Sequence, residues 1–340
     1  MDSILVTGGM GFIGSNFIRF LFGLDQDIKV INVDKLTYAG NPENLKDIDK
    51  KFPKKYKFYK ADICDFDKID KIVIKEKVEF IINFAAESHV DRSIYNPTVF
   101  CDTNILGTQT LLNVSKKNKI KKFQQVSTDE VYGSLNFDES PFTERSPLSP
   151  NSPYSASKAS ADLLVRSYYK TFDLNINITR CSNNYGPYQF PEKLIPLMIN
   201  NALNNRELPV YGEGINIRDW IFVKDHCSAI FKVLLEGKPG EIYNIGGDSE
   251  LKNINLVKKI LNILDKPESL ITFVKDRPGH DLRYAINHEK ITKELNWVPT
   301  VKFDEGSKLT IQWYLDNQEW LNNVITKDYL KYYNKHYKNR

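Results

Sequence analysis

Cysteine is scarce in this chain and scattered. The four thiols, Cys64, Cys101, Cys181 and Cys227, show no CxxC spacing. That excludes a disulfide framework and a paired-cysteine zinc cluster, and it fits a reducing compartment. The five histidines (His89, His226, His280, His288, His336) form no short-range ligand pattern, so no metal is expected. Long apolar runs are also missing. No stretch reaches the roughly 20 apolar residues of a membrane span. No signal peptide is seen before the strand-like Ile4-Leu5-Val6. A cytoplasmic protein with no membrane partner is expected. Strong charge of one sign is lacking too, since 47 Lys and Arg against 43 Asp and Glu leave +4. That is too mild to argue for a nucleic-acid partner, though it suits an anionic small molecule.

What is present is a rhythm. Short apolar strands alternate with helix-length segments. Ile4 to Thr7, Lys29 to Val33, Tyr56 to Tyr59, Phe80 to Phe84, Phe123 to Val126 and Ile176 to Thr179 read as strands. Such alternation indicates parallel βαβ units, an α/β fold with a Rossmann-like doubly wound sheet. The 340 residues allow one large domain and a smaller lobe. Residues 1–180 are read as the dinucleotide-binding domain, with part of 210–250 returning to it. After residue 180, Pro187, Pro191, Pro196 and Pro209 break the rhythm, so 181–326 is read as a smaller C-terminal lobe for substrate. The basic tail 327–340, with Tyr329, Tyr332, Tyr333 and Tyr337, reads as a solvated terminal helix.

Gly8, Gly11 and Gly14 have GxxGxxG spacing between the first strand and a helix over Phe12 to Gly23. Glycines here let the backbone approach a pyrophosphate, which then meets the free N–H groups of the helix start. Asp34 ends the second strand, where a carboxylate binds the adenosine ribose hydroxyls and repels a 2′-phosphate. NAD is therefore expected rather than NADP, with Lys35 and either Lys54 or Lys55 placed to soften the repulsion. Asp62-Ile63 is placed either to meet the adenine or to form an Asx turn.

Two further motifs carry chemistry. Asp129 and Glu130 lie together in Ser127–Gly133, directly after a buried strand. They are either a polar strand-end turn or a pair that handles protons, and the second role needs two environments, one raising a pKa. Tyr154 and Lys158, four apart at the start of a helix, share one face. A neighbouring ammonium and the charge of a nicotinamide would favour a Tyr154 phenolate over its usual pKa near 10.

These segments together resemble the nucleotide-sugar 4,6-dehydratases of the extended short-chain dehydrogenase/reductase family. The resemblance runs from about residue 3 to about 320 through TGGMGFIGS (7–15), DKLTYAGN (34–41), AAESHVDRS (85–93), STDEVYG (127–133), YSASK (154–158), RCSNNYGPYQFPEKLIPL (180–197), YGEGINIRDW (211–220) and DRPGHDLRY (276–284). The first and fifth are shared with sugar epimerases, whereas Asp129-Glu130 is specific, because epimerases of the family usually carry small residues there. The resemblance implies oxidation of the sugar at C4, loss of water across C5 and C6, and return of the hydride to C6. Tyr154, supported by Lys158, takes the O4 proton, Thr128 holds O4, Glu130 takes the C5 proton and Asp129 protonates the leaving C6 hydroxyl.

Cofactor contacts implied are Phe12, Ile13, Lys35, Thr37, Ala85, Ala86, Ser88, Thr103 and Asn184. Sugar-nucleotide contacts implied are Ser88, His89, Thr128, Asn183, Lys193, Leu194, Pro209, Tyr211, Arg218, Asn253, Arg277 and His280. Arg218 and Arg277 suit a diphosphate, which a guanidinium holds through two oxygens. One departure is Leu282, where the family often has a second Arg. dTDP-glucose is favoured and UDP-glucose stays open, because one methyl in an apolar pocket is worth only about 1–3 kcal/mol. The product feeds deoxysugar synthesis of the rhamnose type. The helices near Thr98–Asn118 and Tyr154–Thr171 imply a homodimer. His226, Cys101 and Cys181 are expected to be structural, the two thiols as small core residues. Alternative readings are a sugar 4-epimerase or oxidoreductase on the same fold, and a non-catalytic NAD-binding protein.

Overall fold

Strand β1 (Ser3–Thr7) is buried along its whole length, as the apolar run SILVT requires of a strand covered on both faces. Around it β2 (Lys29–Asp34), β3 (Tyr56–Lys60), β4 (Phe80–Asn83), β5 (Lys122–Thr128) and β6 (Ile176–Cys181) form a parallel sheet. The computed structural model describes residues 3–24, 26–325 and 329. Two short strands of the second half, β7 (Asn183–Tyr185) and β8 (Leu208–Tyr211), precede β9 (Ile217–Phe222). Next come β10 (Ile242–Ile245), β11 (Glu250–Lys252) and β12 (Ile271–Val274).

The main sheet runs β3-β2-β1-β4-β5-β6-β10. Order reverses between β1 and β4, and in open α/β sheets ligands bind at the carboxyl ends of strands beside such a reversal. Alternation along β1 sends Ile4 and Val6 into a core with Phe17, Ile18 and Val233. Leu5 points the other way, into a core with Ile31, Leu111 and Val165. The strand β10 pairs in parallel with β6, and the helix Val223–Glu236 supplies Ile230 and Val233 to the first core. Thus a segment distant in sequence returns to the sheet. The remainder forms a second layer, with sheets β11-β9-β7 and β12-β8 over a third core of Tyr185, Leu197, Trp220 and Leu256.

The helix expected near Thr98–Asn118 is interrupted. Pro97–Phe100 and Gly107–Lys117 are α-helical, and Cys101–Leu106 between them is a π turn. π turns are rare and often mark functional sites. Cys101, expected in the core, is exposed at this turn, whereas Cys181 and Cys227 are buried. The basic tail lies outside the described residues except for Tyr329. That residue was expected in solvent but is buried, because the Phe190 ring (centroids 5.8 Å apart) and the Pro191 carbonyl (3.0 Å) give it partners. No helix among the described residues is long and apolar enough to cross a membrane.

Candidate active site

The glycine loop closes one end of a long cavity at the carboxyl ends of β1, β4 and β5. Gly8 sits at φ +68°, and a Cβ there would lie 2.7 Å from the Ala85 nitrogen. A Cβ on Gly14 would lie 2.4 Å from the Gly8 oxygen. Side chains are therefore excluded where β1 and the following helix meet. That helix, Phe12–Gly23, starts at Gly11 with no side-chain cap, leaving its first N–H groups for an anion. Asp34 accepts Met10 N–H at 2.9 Å and Leu36 N–H at 2.7 Å. Burial raises its carboxyl, and these two donors oppose the rise.

Lys35, placed by sequence to soften the Asp34 charge, pairs instead with Asp62 at 2.6 Å. Lys55 pairs with Asp27. Asp62 itself forms the Asx turn, accepting Cys64 N–H at 3.0 Å, and still lines the cavity beside Ile63. Thr103, carried by the π turn, and Phe12, Ile13, Thr37, Ala85, Ala86, Ser88 and Asn184 line the same cavity. The donor set fits a dinucleotide: glycine cradle, uncapped helix start, then a carboxylate one strand over.

At the other end of the cavity stand Thr128, Asp129, Glu130, Tyr154 and Lys158. Thr128 ends β5 and caps a 3₁₀ turn over Asp129–Tyr132, accepting Glu130 N–H at 3.3 Å. The turn brings both acids to one place but into different surroundings. Asp129 is 2% exposed and its Oδ2 has no hydrogen-bond partner. Burial, then Glu130 and Asp219, push its carboxyl well above the usual range, against a smaller pull from Arg218. Glu130 is half-buried. Burial raises it as well, but Arg277, Lys193 and Arg218 all pull it down. The more acidic of the pair is therefore Glu130.

Tyr154 follows Ser152, whose hydroxyl closes a capping box with Ser155 at the start of the helix Pro153–Phe172. Lys158 lies one turn on and donates to the Val126 carbonyl at 2.8 Å. Burial pulls the Lys158 ammonium down. The phenolate expected at Tyr154 is not what the protein alone favours. Burial, then Glu130, Cys181 and Asp129, push Tyr154 well above its ordinary value, and the Thr128 hydroxyl opposes them. Burial leads this rise and the adjacent carboxylates add to it, while the Lys158 ammonium is committed to a backbone oxygen.

Of the residues predicted to hold substrate, Ser88, Thr128, Asn183 and Lys193 line the cavity. Lys193 donates to the Ser88 carbonyl at 2.7 Å. A second group gathers around Asp91. Arg277 approaches it at 3.8 Å, Tyr211 O–H at 3.4 Å and His89 at 3.9 Å. His280 stacks edge-on against Tyr211 and pairs with Asp276 at 2.6 Å. Arg218 donates to the Asp281 carbonyl at 2.9 Å and lies over the Tyr284 ring. Asn253 joins this region through Asn216, which also donates to Asp281. The Arg277 Nε and the Asn183 and Asn253 side-chain oxygens are buried without partners. Leu194 packs against the small-lobe core and Pro209 is buried on β8; neither is part of the cavity wall.

Sequence reasoning missed Glu192, Arg92 and Tyr38. Arg92 pairs with Glu192 at 3.0 Å and lies 3.8 Å above the Tyr38 ring, tying the segment after β2 to the loop before the helix Leu194–Leu203. Tyr38 lies inside DKLTYAGN, Arg92 inside AAESHVDRS and Glu192 inside RCSNNYGPYQFPEKLIPL, but nothing local in those segments marks their pairing. His226, read as structural, lies against Asn184.

Comparison with known proteins agrees with this geometry. The family model described as GDP-mannose 4,6 dehydratase matches residues 5–310. A dTDP-glucose 4,6-dehydratase of Neisseria meningitidis serogroup B is 49% identical, covering 97% of this chain and 98% of its own. The structure of a dTDP-glucose 4,6-dehydratase from Bacillus anthracis in complex with NAD aligns with a TM-score of 0.89 at 49% identity, over 95% of this chain and 100% of that one. Another dTDP-glucose 4,6-dehydratase, from Streptomyces venezuelae with NAD bound, aligns at 0.91 and 47% identity, over 95% and 99%.

Proposed function

This chain belongs to the GDP-mannose 4,6 dehydratase family, and on that premise we propose that it removes water from dTDP-glucose in an NAD-dependent reaction, giving the 4-keto-6-deoxy sugar. The observation that carries the reading is the unequal pair at the end of β5: Asp129 buried, with one oxygen unpartnered, beside like charges, and Glu130 facing three cations. A hydro-lyase needs an acid and a base at adjacent carbons, and neighbouring groups with separated proton affinities supply both.

Gly8, Gly11, Gly14 and Asp34 would hold the cofactor's pyrophosphate and adenosine ribose, with Thr103 and Asn184 along the wall. Bound NAD⁺ would supply the hydride acceptor for oxidation at C4 and the donor for C6, and a positive ring near Tyr154, whose proton burial and the neighbouring carboxylates hold. Thr128 and Tyr154 hold O4, and Tyr154 receives its proton. The C4 ketone acidifies C5, Glu130 removes that proton, and Asp129, protonated, donates to the C6 hydroxyl as it leaves as water. Arg218 and Arg277 hold the diphosphate, and the unpartnered Arg277 Nε, Asn183 Oδ1 and Asn253 Oδ1 are the polar atoms left for ligand.

Incubation with dTDP-glucose and UDP-glucose tests this, read as the 4-keto product by its absorbance in alkali. Faster turnover of the thymidine substrate is expected. Turnover of neither, or of UDP-glucose preferentially, overturns the reading. A 4-epimerase would return the C4 epimer with no 4-keto product.

The proposal includes a homodimer in the cytoplasm. Leu106 on the π turn and Leu163 on the helix Pro153–Phe172 are 51% and 57% exposed, on segments that pack side by side. A second copy would cover them. Sedimentation as a monomer at micromolar concentration would overturn the dimer. We place the domain division at the end of β6, with Val223–Ile245 assigned to the NAD domain.

A further inference from the structure

His226 lies in the helix Val223–Glu236, outside the cavity wall and completely buried. Its Nδ1 is 2.8 Å from Asn184 Oδ1. The Asn184 amide nitrogen is 3.0 Å from the Ser182 carbonyl oxygen and 3.4 Å from Cys181 Sγ. A carbonyl oxygen only accepts, so the amide must turn its nitrogen to Ser182 and its oxygen to the histidine. An amide oxygen also only accepts, so the proton is on Nδ1. Cys181 Sγ in turn donates to the Ser127 carbonyl at 3.4 Å.

A directed chain therefore runs from His226 through Asn184 and Cys181 to Ser127. Its last three members line the cavity, and Ser127 adjoins Thr128. The histidine's other nitrogen, Nε2, is buried without a partner. An unsatisfied buried acceptor is costly, and a leucine would pack here without that cost. Burial also holds the ring near a pKa of about 3, so it is neutral at working pH and carries only the one proton.

We propose that His226 is a positioning residue: its Nδ1–H fixes the amide orientation of Asn184 and, through Cys181, the wall shared by the cofactor cavity and the Tyr154 pocket. The inference rests on the reading that this cavity takes NAD.

His226→Leu keeps bulk and removes the donor, whereas His226→Gln keeps a donor. The test follows release of NAD from holoenzyme during a chase with excess labelled NAD, together with kcat and KM. Release about tenfold faster is expected for His226→Leu, the size of one lost buried hydrogen bond. A lower kcat with little change in KM should accompany it, and His226→Gln should restore most of both. Asn184→Leu should show the same losses, and the double variant His226→Leu/Asn184→Leu should be no worse than either. Additive losses would overturn the inference, as would a His226→Leu protein that melts earlier but releases NAD and turns over normally. Imidazole nitrogen NMR gives an answer that needs neither a folded variant nor bound NAD. A proton on Nδ1 is expected, and one on Nε2 would overturn the chain. Should wild-type protein hold no NAD while the Nδ1 proton is present, the functional reading fails and the hydrogen-bond chain stands.

Discussion

The Lys158 ammonium donates to the Val126 carbonyl at 2.8 Å, so the helix that carries Tyr154 is pinned to the strand that ends in Thr128. The lysine is 4% exposed. It serves as a spacer between two elements as well as a charge. Lys158→Met removes both the bond and the buried charge. Loss of kcat on the order of 10²-fold is expected, the lower end for a group acting in proton transfer. Thermal melting should shift little, because the variant also relieves the desolvation of a buried cation. A variant with normal kcat would show that the ammonium plays no part in the chemistry.

Glu130→Gln and Asp129→Asn should separate the two proton steps. Glu130→Gln is expected to lower product formation by about 10²- to 10⁴-fold while still reducing bound NAD⁺ on mixing with dTDP-glucose, seen as nicotinamide absorbance. Asp129→Asn should also slow net turnover, and hydrogen exchange at C5 with solvent deuterium should continue in it, because Glu130 is intact. Exchange surviving in Glu130→Gln and absent in Asp129→Asn would reverse the assignment.

Stability should depend on pH through Asp129. Its folded pKa is raised above the unfolded value, chiefly by burial. For a carboxyl shifted that way, the stabilising contribution is complete below the unfolded pKa and fades as pH rises through the folded one. Asp129→Asn carries no such group. Its melting temperature should exceed that of wild type at about pH 8 by a few degrees, on the order of 1 kcal/mol, with the difference shrinking towards about pH 5. A difference that grows on acidification would contradict the sign.

Arg277 pulls the Glu130 pKa down, first among the cations that do so. Arg277→Ala should therefore move the acid limb of the kcat/KM profile to higher pH, since the base stays protonated longer. It should also raise KM for the nucleotide sugar, roughly tenfold or more for a lost charge-assisted contact. His89 and His280 are both drawn down to about 4 by burial, so neither titrates in that limb at neutral pH. A raised KM with an unmoved profile would separate binding from the electrostatic role.

Much of the fold is written in local pattern. The apolar runs of β1, β2 and β5 lie where their composition puts them, and Gly8 and Gly11 stand between a strand and a helix whose first turn holds Gly14, as their spacing requires. Asn184 and Asn183 were legible only through resemblance, since an asparagine pair has no period of its own. Glu192 and Arg92 were not legible at all. Their pairing joins segments about a hundred residues apart, and no local rule reports such a contact. The exposed Cys101 and the buried Tyr329 fail for the same reason: a thiol or an aromatic ring is buried only if another element arrives to cover it.

By itself the sequence determined that Asp129 and Glu130 are adjacent at the end of a buried strand, and that Tyr154 and Lys158 share a helical face. Backbone periodicity and neighbour chemistry suffice for that. Only the tertiary structure decided how the two acids differ. Their proton affinities depend on burial and on the fields of Arg218, Arg277, Lys193 and Asp219, all brought in from distant parts of the chain. Burial, with Glu130, Cys181 and Asp129 packed close by, holds Tyr154 protonated where its helical spacing from Lys158 had suggested the opposite. Electrostatic energy follows distance in space and local dielectric, and neither is a function of position along the chain.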